Sequence, residues 1–142
     1  MLKLLVPVDG SEPSNRAVDY LVKKVLNLYK ERPEVHLLNV QHSLSGDVTM
    51  FIDREELHKF HHEEGLKALA PARAKLDSVG LSYVVHVSVG DPAHVINHFA
   101  HDKKCDQIFM GARGLGGVAS ALIGSVTSKV LHLTDVPVLI VK

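Results

Sequence analysis

Five short apolar runs alternate with stretches of helical pattern, and that alternation restricts the fold more than any other feature of the chain. Leu2 to Val8 is nearly continuous apolar sequence interrupted only by Lys3, and Val35 to Val40, Gln107 to Met110 and Val136 to Val141 read the same way. Runs of this kind are strands covered on both faces, as in parallel sheets. In the remaining run, Leu81, Tyr83, Val85, Val87 and Val89 alternate with Ser82, His86 and Ser88. A period of two predicts a strand with one wetter face, toward a sheet edge. Between the runs, Ala17, Leu21, Val25 and Leu28 recur at helical spacing and predict an amphipathic helix over about 12–30, ended by Pro33. Ser11 is its expected N-cap, with Pro13 in the first turn. Gln41 to Thr49 reads as a polar loop. Residues 50–79 read as helical, with Leu66, Leu69, Leu76 and Val79 for burial and Pro71 expected to kink the helix or begin a second segment. Asp91-Pro92 opens a helix with the stripe Val95, Ile96, Phe99 and Ala100, and 125–133 reads as another. Strands alternating with helices in this way form an α/β open parallel sheet with right-handed crossovers.

At 142 residues the chain is expected to be one domain. Sixteen basic and sixteen acidic side chains give zero formal charge, which argues against nucleic acid as a partner, because phosphate backbones are held by concentrated Lys and Arg. No apolar run approaches the ~20 residues of a membrane span. The first residues continue directly into strand-like sequence, so no signal peptide is expected. The single cysteine, Cys105, excludes an internal disulfide, fits a cytoplasmic location and reads as a core or near-core residue.

In open parallel sheets, ligands bind at the carboxyl ends of strands where the strand order reverses. The first and fourth strands are the least polar and should be central neighbours, so Val8-Asp9-Gly10 and Met110-Gly111 are expected to face one crevice. After the fourth strand comes a glycine-rich stretch, 111–125, carrying G-x2-G-x9-G-S at Gly111, Gly114, Gly124 and Ser125. Glycines admit backbone N–H groups to an anion, and the following helix start adds about half a positive charge. No Gly-Lys-Ser/Thr follows, so the loop is no Walker A motif, and G-x-G-x-x-G is absent.

With these features the whole chain resembles the universal stress protein family in its ATP-binding branch. The resemblance runs through Leu4-Leu5-Val6-Pro7-Val8-Asp9-Gly10-Ser11, Val89-Gly90-Asp91-Pro92, the stretch from Asp106 to Gly114, Gly124-Ser125 and Val136-Pro137-Val138-Leu139-Ile140-Val141. It implies a Rossmann-like five-stranded parallel sheet in the order 3-2-1-4-5 with two helices on each face. It also implies a homodimer built by the Val136–Val141 strand, whose apolar edge would otherwise be an aggregation hazard. The implied ligand is ATP, or AMP or ADP, with or without Mg2+. Adenosine would lie against Pro7, Val8, Asp9 and Val40. Ribose and phosphates would follow Met110, Gly111, Arg113, Gly114, Gly116 and Gly117 onto Gly124, Ser125, Val126 and Thr127.

Each of these residues also has a plainer reading. Asp9 is an ordinary turn former, Ser125 a plain N-cap, Arg113 a solvated loop cation and Lys129 a surface charge. Two histidine trios sit at helical spacing, His58, His61 and His62 and then His94, His98 and His101. The second lies opposite the apolar stripe, so a solvated face explains it and no metal is assigned. A pH sensitivity near 6–7 follows from the imidazole range.

The expected function is an adenine-nucleotide-binding stress-response protein acting through protein contacts, with no catalytic residues. There is no Ser-x-x-Lys, Gly-x-Ser-x-Gly or His-Glu-x-x-His motif. Three alternatives stand beside it: slow ATP hydrolysis, an ATP pyrophosphatase-like enzyme, and a nucleotide-free interaction module of the same fold. The pyrophosphatase reading is opposed by the first turn, which is Asp9-Gly10-Ser11-Glu12-Pro13-Ser14 where those enzymes carry Ser-Gly-Gly-x-Asp-Ser.

Overall fold

A computed structural model describes residues 1–44, 46–114 and 123–142. Five parallel strands, β1 (Lys3–Pro7), β2 (Glu34–Gln41), β3 (Tyr83–Val89), β4 (Gln107–Gly111) and β5 (Val138–Val141), form one sheet in the order β3-β2-β1-β4-β5. β1 is central, and its middle residues Leu4, Leu5 and Val6 are buried on both faces. It pairs with β2 through Lys3↔Glu34 to Pro7↔Leu38, and with β4 through Leu4↔Gln107 and Leu5↔Ile108. The first and fourth strands are thus neighbours, as their composition predicts.

Helices α1 (Glu12–Tyr20), α2 (Gly46–Thr49), α3 (Arg54–Ser78), α4 (Pro92–Asp102) and α5 (Ser125–Leu133) connect the strands. Two cores separated by the sheet divide them. Val18 and Leu21 of the first crossover and Leu69, Ala72 and Leu76 of α3 pack with Leu4, Val6 and Phe109 on one face. Ala93, Ile96 and Ala100 of α4 and Val130 of α5 pack with Leu5, Leu38 and Ile108 on the other. Cys105 is buried in this second core, and burial pushes its thiol pKa up.

Several local expectations are corrected. The first helix ends at Tyr20 and continues as a widened π turn, Leu21–Val25, and a 3-10 turn, Leu26–Leu28. A four-residue repeat overshoots the 3.6-residue turn, and one widened turn takes up the overshoot so that Leu21 and Val25 both stay buried. Leu28 falls outside that stripe and is 80% exposed. The loop after β2 contains the one-turn helix α2. Pro71 begins no second segment: α3 runs unbroken to Ser78. Its ring lies on the exposed side, where water can serve the carbonyl deprived of its donor.

β3 lies at an edge and its polar face is the wetter one, as its alternation predicts: Ser82 and Val84 on that face are exposed, while Tyr83, Val85 and Val87 on the other pack against the first core. His86 is covered by α4: its ring stacks on His36 of β2 with centroids 5.2 Å apart and meets the Phe99 ring at 5.1 Å. Nδ1 of His36 is 2.9 Å from Nε2 of His86, and Nε2 of His36 is 2.7 Å from a Glu34 carboxylate oxygen. Burial first, then His36 and Lys103, hold the His86 imidazole below its ordinary pKa. A histidine depressed in this way binds fewer protons than its unfolded counterpart, so its stability contribution is complete above about pH 6.5 and is lost as pH falls from there through the folded value. Thermal melts are expected to be level near pH 7.5 and to drop toward pH 5.5, with a smaller drop in His86→Gln. Melts flat over that range would refute the assignment.

Of the first histidine trio, His61 is buried while His58 and His62 are exposed. His94, His98 and His101 are exposed, as expected of a solvated face. Among the described residues, no three His, Cys, Asp or Glu side chains form a group able to hold a metal ion, and no helix is long and apolar enough to cross a membrane.

Candidate functional site

The carboxyl ends of β1, β2 and β4 open into one cavity of about 560 Å³, within the range of small-molecule sites. Its first wall is the turn after β1. Gly10 takes a left-handed φ of +85° there, which lets the chain reverse into α1. Asp9 Oδ1 accepts from the Ser11 N–H at 2.9 Å, and the Ser11 hydroxyl caps α1 by accepting from Ser14 N–H at 3.3 Å. Asp9 is therefore the turn former of its plainer reading, and its carboxylate also lies in the cavity wall.

The second wall is the glycine stretch. Its two ends meet: the Gly124 N–H donates to the Ala112 carbonyl at 2.7 Å, and the Ala112 N–H to Val141 of β5 at 2.8 Å. The α5 N-cap is Gly124, one residue earlier than the Ser125 of the plainer reading, so no side chain caps this helix. The first helical bond joins Ser128 N–H to the Gly124 carbonyl. The N–H groups of Ser125, Val126 and Thr127 precede it and have no partner within the helix. They form the positive end of the α5 dipole, at the cavity. The Thr127 hydroxyl is buried and donates to the Gly111 carbonyl at 3.0 Å, so this side chain ties α5 to the end of β4.

Pro7, Val8, Asp9, Val40, Met110, Gly111, Arg113, Gly114, Gly124, Ser125, Val126 and Thr127, all singled out in the sequence, line this cavity. Gly116 and Gly117 lie outside the described residues. Lys129 is not in the wall; its ammonium pairs with Asp91 at 3.1 Å. Asp91 caps α4 and is held down to about pH 2 in its titration by His94, whose ring nitrogen and backbone N–H both approach the carboxylate, and then by Lys129.

Sequence reasoning missed a third wall. Glu64, Lys67, Ala68 and Pro71 fall at i, i+3, i+4 and i+7 on α3 and form one stripe along the cavity. A lysine is thus present although the loop brings none; its Nζ is paired with Glu64 at 3.0 Å. Leu38, Asn39 and Gln41 of β2, His42 just after it, Gly10 and Ser14 at the start of the first crossover, and Pro92 and Ile96 of α4 complete the lining. A polar Asn set between the apolar Leu38 and Val40 was the available signal for the β2 pair.

The chain matches the model of the Universal stress protein family over residues 1–142. It is 36% identical to Universal stress protein YxiE of Bacillus subtilis, with 99% of this chain and 98% of that one aligned. Among solved structures it is similar to protein MJ0577 of Methanocaldococcus jannaschii, with a TM-score of 0.83, 30% identity and coverage of 99% and 95% of the two chains. A universal stress protein from Arabidopsis thaliana with AMP bound shares the fold at 22% identity, TM-score 0.71 and coverage of 100% and 92%.

Proposed function

The chain belongs to the universal stress protein family, and from that membership we propose that it is an adenine-nucleotide-binding regulatory protein that takes ATP, ADP or AMP in the cavity at the ends of β1, β2 and β4. The observation that carries this reading is the pairing of two unlike ends in one cavity. At one end the uncapped first turn of α5 presents backbone N–H groups to an anion. At the other, Val8, Val40 and Met110 offer apolar surface to a base. The AMP carried by the Arabidopsis fold neighbour is of the same ligand class.

In this reading Asp9 serves the ribose or a phosphate-bound Mg2+, and Arg113 serves the phosphates. The phosphate end is built from backbone donors and a helix terminus, an arrangement that binds charge without activating a nucleophile, so the role is binding in place of turnover. Two copies pair through β5, whose four apolar residues are only half-buried in one chain. The cytoplasm is the assigned location.

Isothermal titration of the purified protein with ATP, ADP and AMP is expected to give micromolar dissociation constants, and light scattering twice the chain mass. Absence of heat with all three nucleotides would turn the assignment to a nucleotide-free interaction module. Steady phosphate release from ATP would turn it to a slow ATPase.

A further inference from the structure

We propose that Lys129 is the residue that distinguishes a nucleoside triphosphate from a monophosphate, by turning from Asp91 to the terminal phosphate where the phosphate chain leaves the cavity past Ser125. The inference rests on the adenine-nucleotide reading of the cavity. Of the three α5 residues whose N–H groups face an anion there, Thr127 is buried, Val126 half-buried and Ser125 exposed. A single phosphate held by these groups ends inside the cavity, whereas a longer chain continues outward over Ser125. Ser125, Ser128, Lys129 and His132 fall at i, i+3, i+4 and i+7 and share one face of α5. The outermost residue of the cavity is thus also the first of a shallow surface hollow that contains Lys129. Side chains on a helix lean back over the turn before them, which directs the Lys129 stem toward the Ser125 end.

The ammonium already has a partner, but one that can spare it. Oδ2 of Asp91 accepts from the His94 ring nitrogen Nδ1 at 2.6 Å, from the His94 N–H at 3.2 Å and from Lys129 Nζ at 3.1 Å. That is one donor more than the oxygen has lone pairs. When Lys129 leaves, Asp91 still caps α4 and still holds His94, so no carboxylate is stranded. Both members of the Asp91–Lys129 pair are about half exposed, and exposed ion pairs contribute little. A terminal phosphate offers the same ammonium three acceptor oxygens and close to two negative charges. The exchange gives up a weak partner for a stronger one.

Calorimetric dissociation constants for ATP and AMP, with Lys129 and Asp91 replaced singly and together, test the inference. Lys129→Met is expected to weaken ATP binding roughly five- to tenfold and to leave AMP within about twofold of the wild type. Lys129→Arg keeps the charge and is expected to retain most of the ATP affinity. Asp91→Asn keeps an N-cap but releases the ammonium, and is expected to favour ATP over AMP by roughly threefold more than the wild type does. That gain should shrink in the Lys129→Met background, because Asp91 and the phosphate compete for one ammonium. Two charges acting independently through a long-range field would give additive effects instead. Equal weakening of ATP and AMP by Lys129→Met, no weakening of ATP, or an Asp91→Asn gain of the same size with and without Lys129 overturns the inference. Should Lys129→Met fail to fold, an unchanged ratio of ATP to AMP affinity in Asp91→Asn overturns it alone. Failure of the wild type to bind either nucleotide is a different result, which removes the nucleotide reading and this inference with it.

Discussion

Gly114→Val is expected to weaken ATP binding by at least about a hundredfold, close to 3 kcal/mol, while leaving the thermal stability of the sheet nearly unchanged. The reason is more local than exclusion of the phosphates. A Cβ built on Gly114 runs into Oδ2 of Asp9 and comes within 3.3 Å of its Cγ. The Asp9 carboxylate cannot simply swing aside, because its Oδ1 closes the turn onto the Ser11 N–H. A side chain at 114 must therefore open the β1 turn or push the glycine loop outward, and both are walls of the cavity. Gly114 lies beyond the end of β4 and outside both cores, so the disturbance stays at the site. Calorimetry against ATP with a parallel thermal melt is the measurement. A companion pair separates the two causes. In an Asp9→Ala background, the step from glycine to alanine at 114 should cost little, since the obstructing carboxylate is gone. Wild-type affinity in Gly114→Val would remove the loop from the binding site.

That coupling between Asp9 and Gly114 shows which part of the site was legible in the chain. The approach of two segments about a hundred residues apart follows from strand order alone, and strand order follows from burial. β1 and β4 carry the least polar sequence, so they become neighbours, and their carboxyl ends bring Asp9-Gly10 beside Gly111. Periodicity also placed the apolar side of α4: of the expected stripe, Ile96 and Ala100 are buried and Val95 and Phe99 half-buried, while the histidines are wet. It failed where the same residue type serves two physical ends. Glu64 and Lys67 have the composition of a solvated helical face, and only the packing of α3 against the strand ends makes them a cavity wall. His86 alternates as a solvent-facing residue would, yet Phe99 from a later helix covers it. The hydroxyl of Thr127 serves a phosphate or a backbone carbonyl equally well, and the 3.0 Å contact to Gly111 decides for the carbonyl. Helix phase has the same limit: Ser125 and Gly124 differ by one position, and that position decides whether a side chain or an incoming anion satisfies the first turn of α5.

Gly111→Ala is expected to be strongly destabilising, costing about 3 kcal/mol and lowering the melting temperature by roughly 10 °C. An added Cβ would stand 2.7 Å from the Pro13 carbonyl oxygen, 2.9 Å from its carbon and 3.2 Å from the Ser14 nitrogen. These are backbone atoms in the first turn of α1, and no rotamer change can clear them. The turn is held on both sides, by the Ser11 cap and by the burial of Ala17 and Val18 under the sheet. Gly111 is held too, since its carbonyl accepts from Thr127 and β4 pairs it with Val141 of β5. Either α1 must lift from β4 or the end of β4 must bend, and each movement opens a packed core. Gly46→Ala is the control: nothing lies within 4 Å of its added methyl, and alanine favours the helix it occupies, so stability should hold or rise slightly. Denaturant titration of both variants checks the contrast, and a Gly111→Ala midpoint equal to that of the wild type would mean that α1 is free to move. Because the same contact sets the distance between the Asp9 turn and the start of α5, lifting α1 should also widen the cavity. Gly111→Ala is therefore expected to lose nucleotide affinity along with stability, whereas Gly114→Val loses affinity alone.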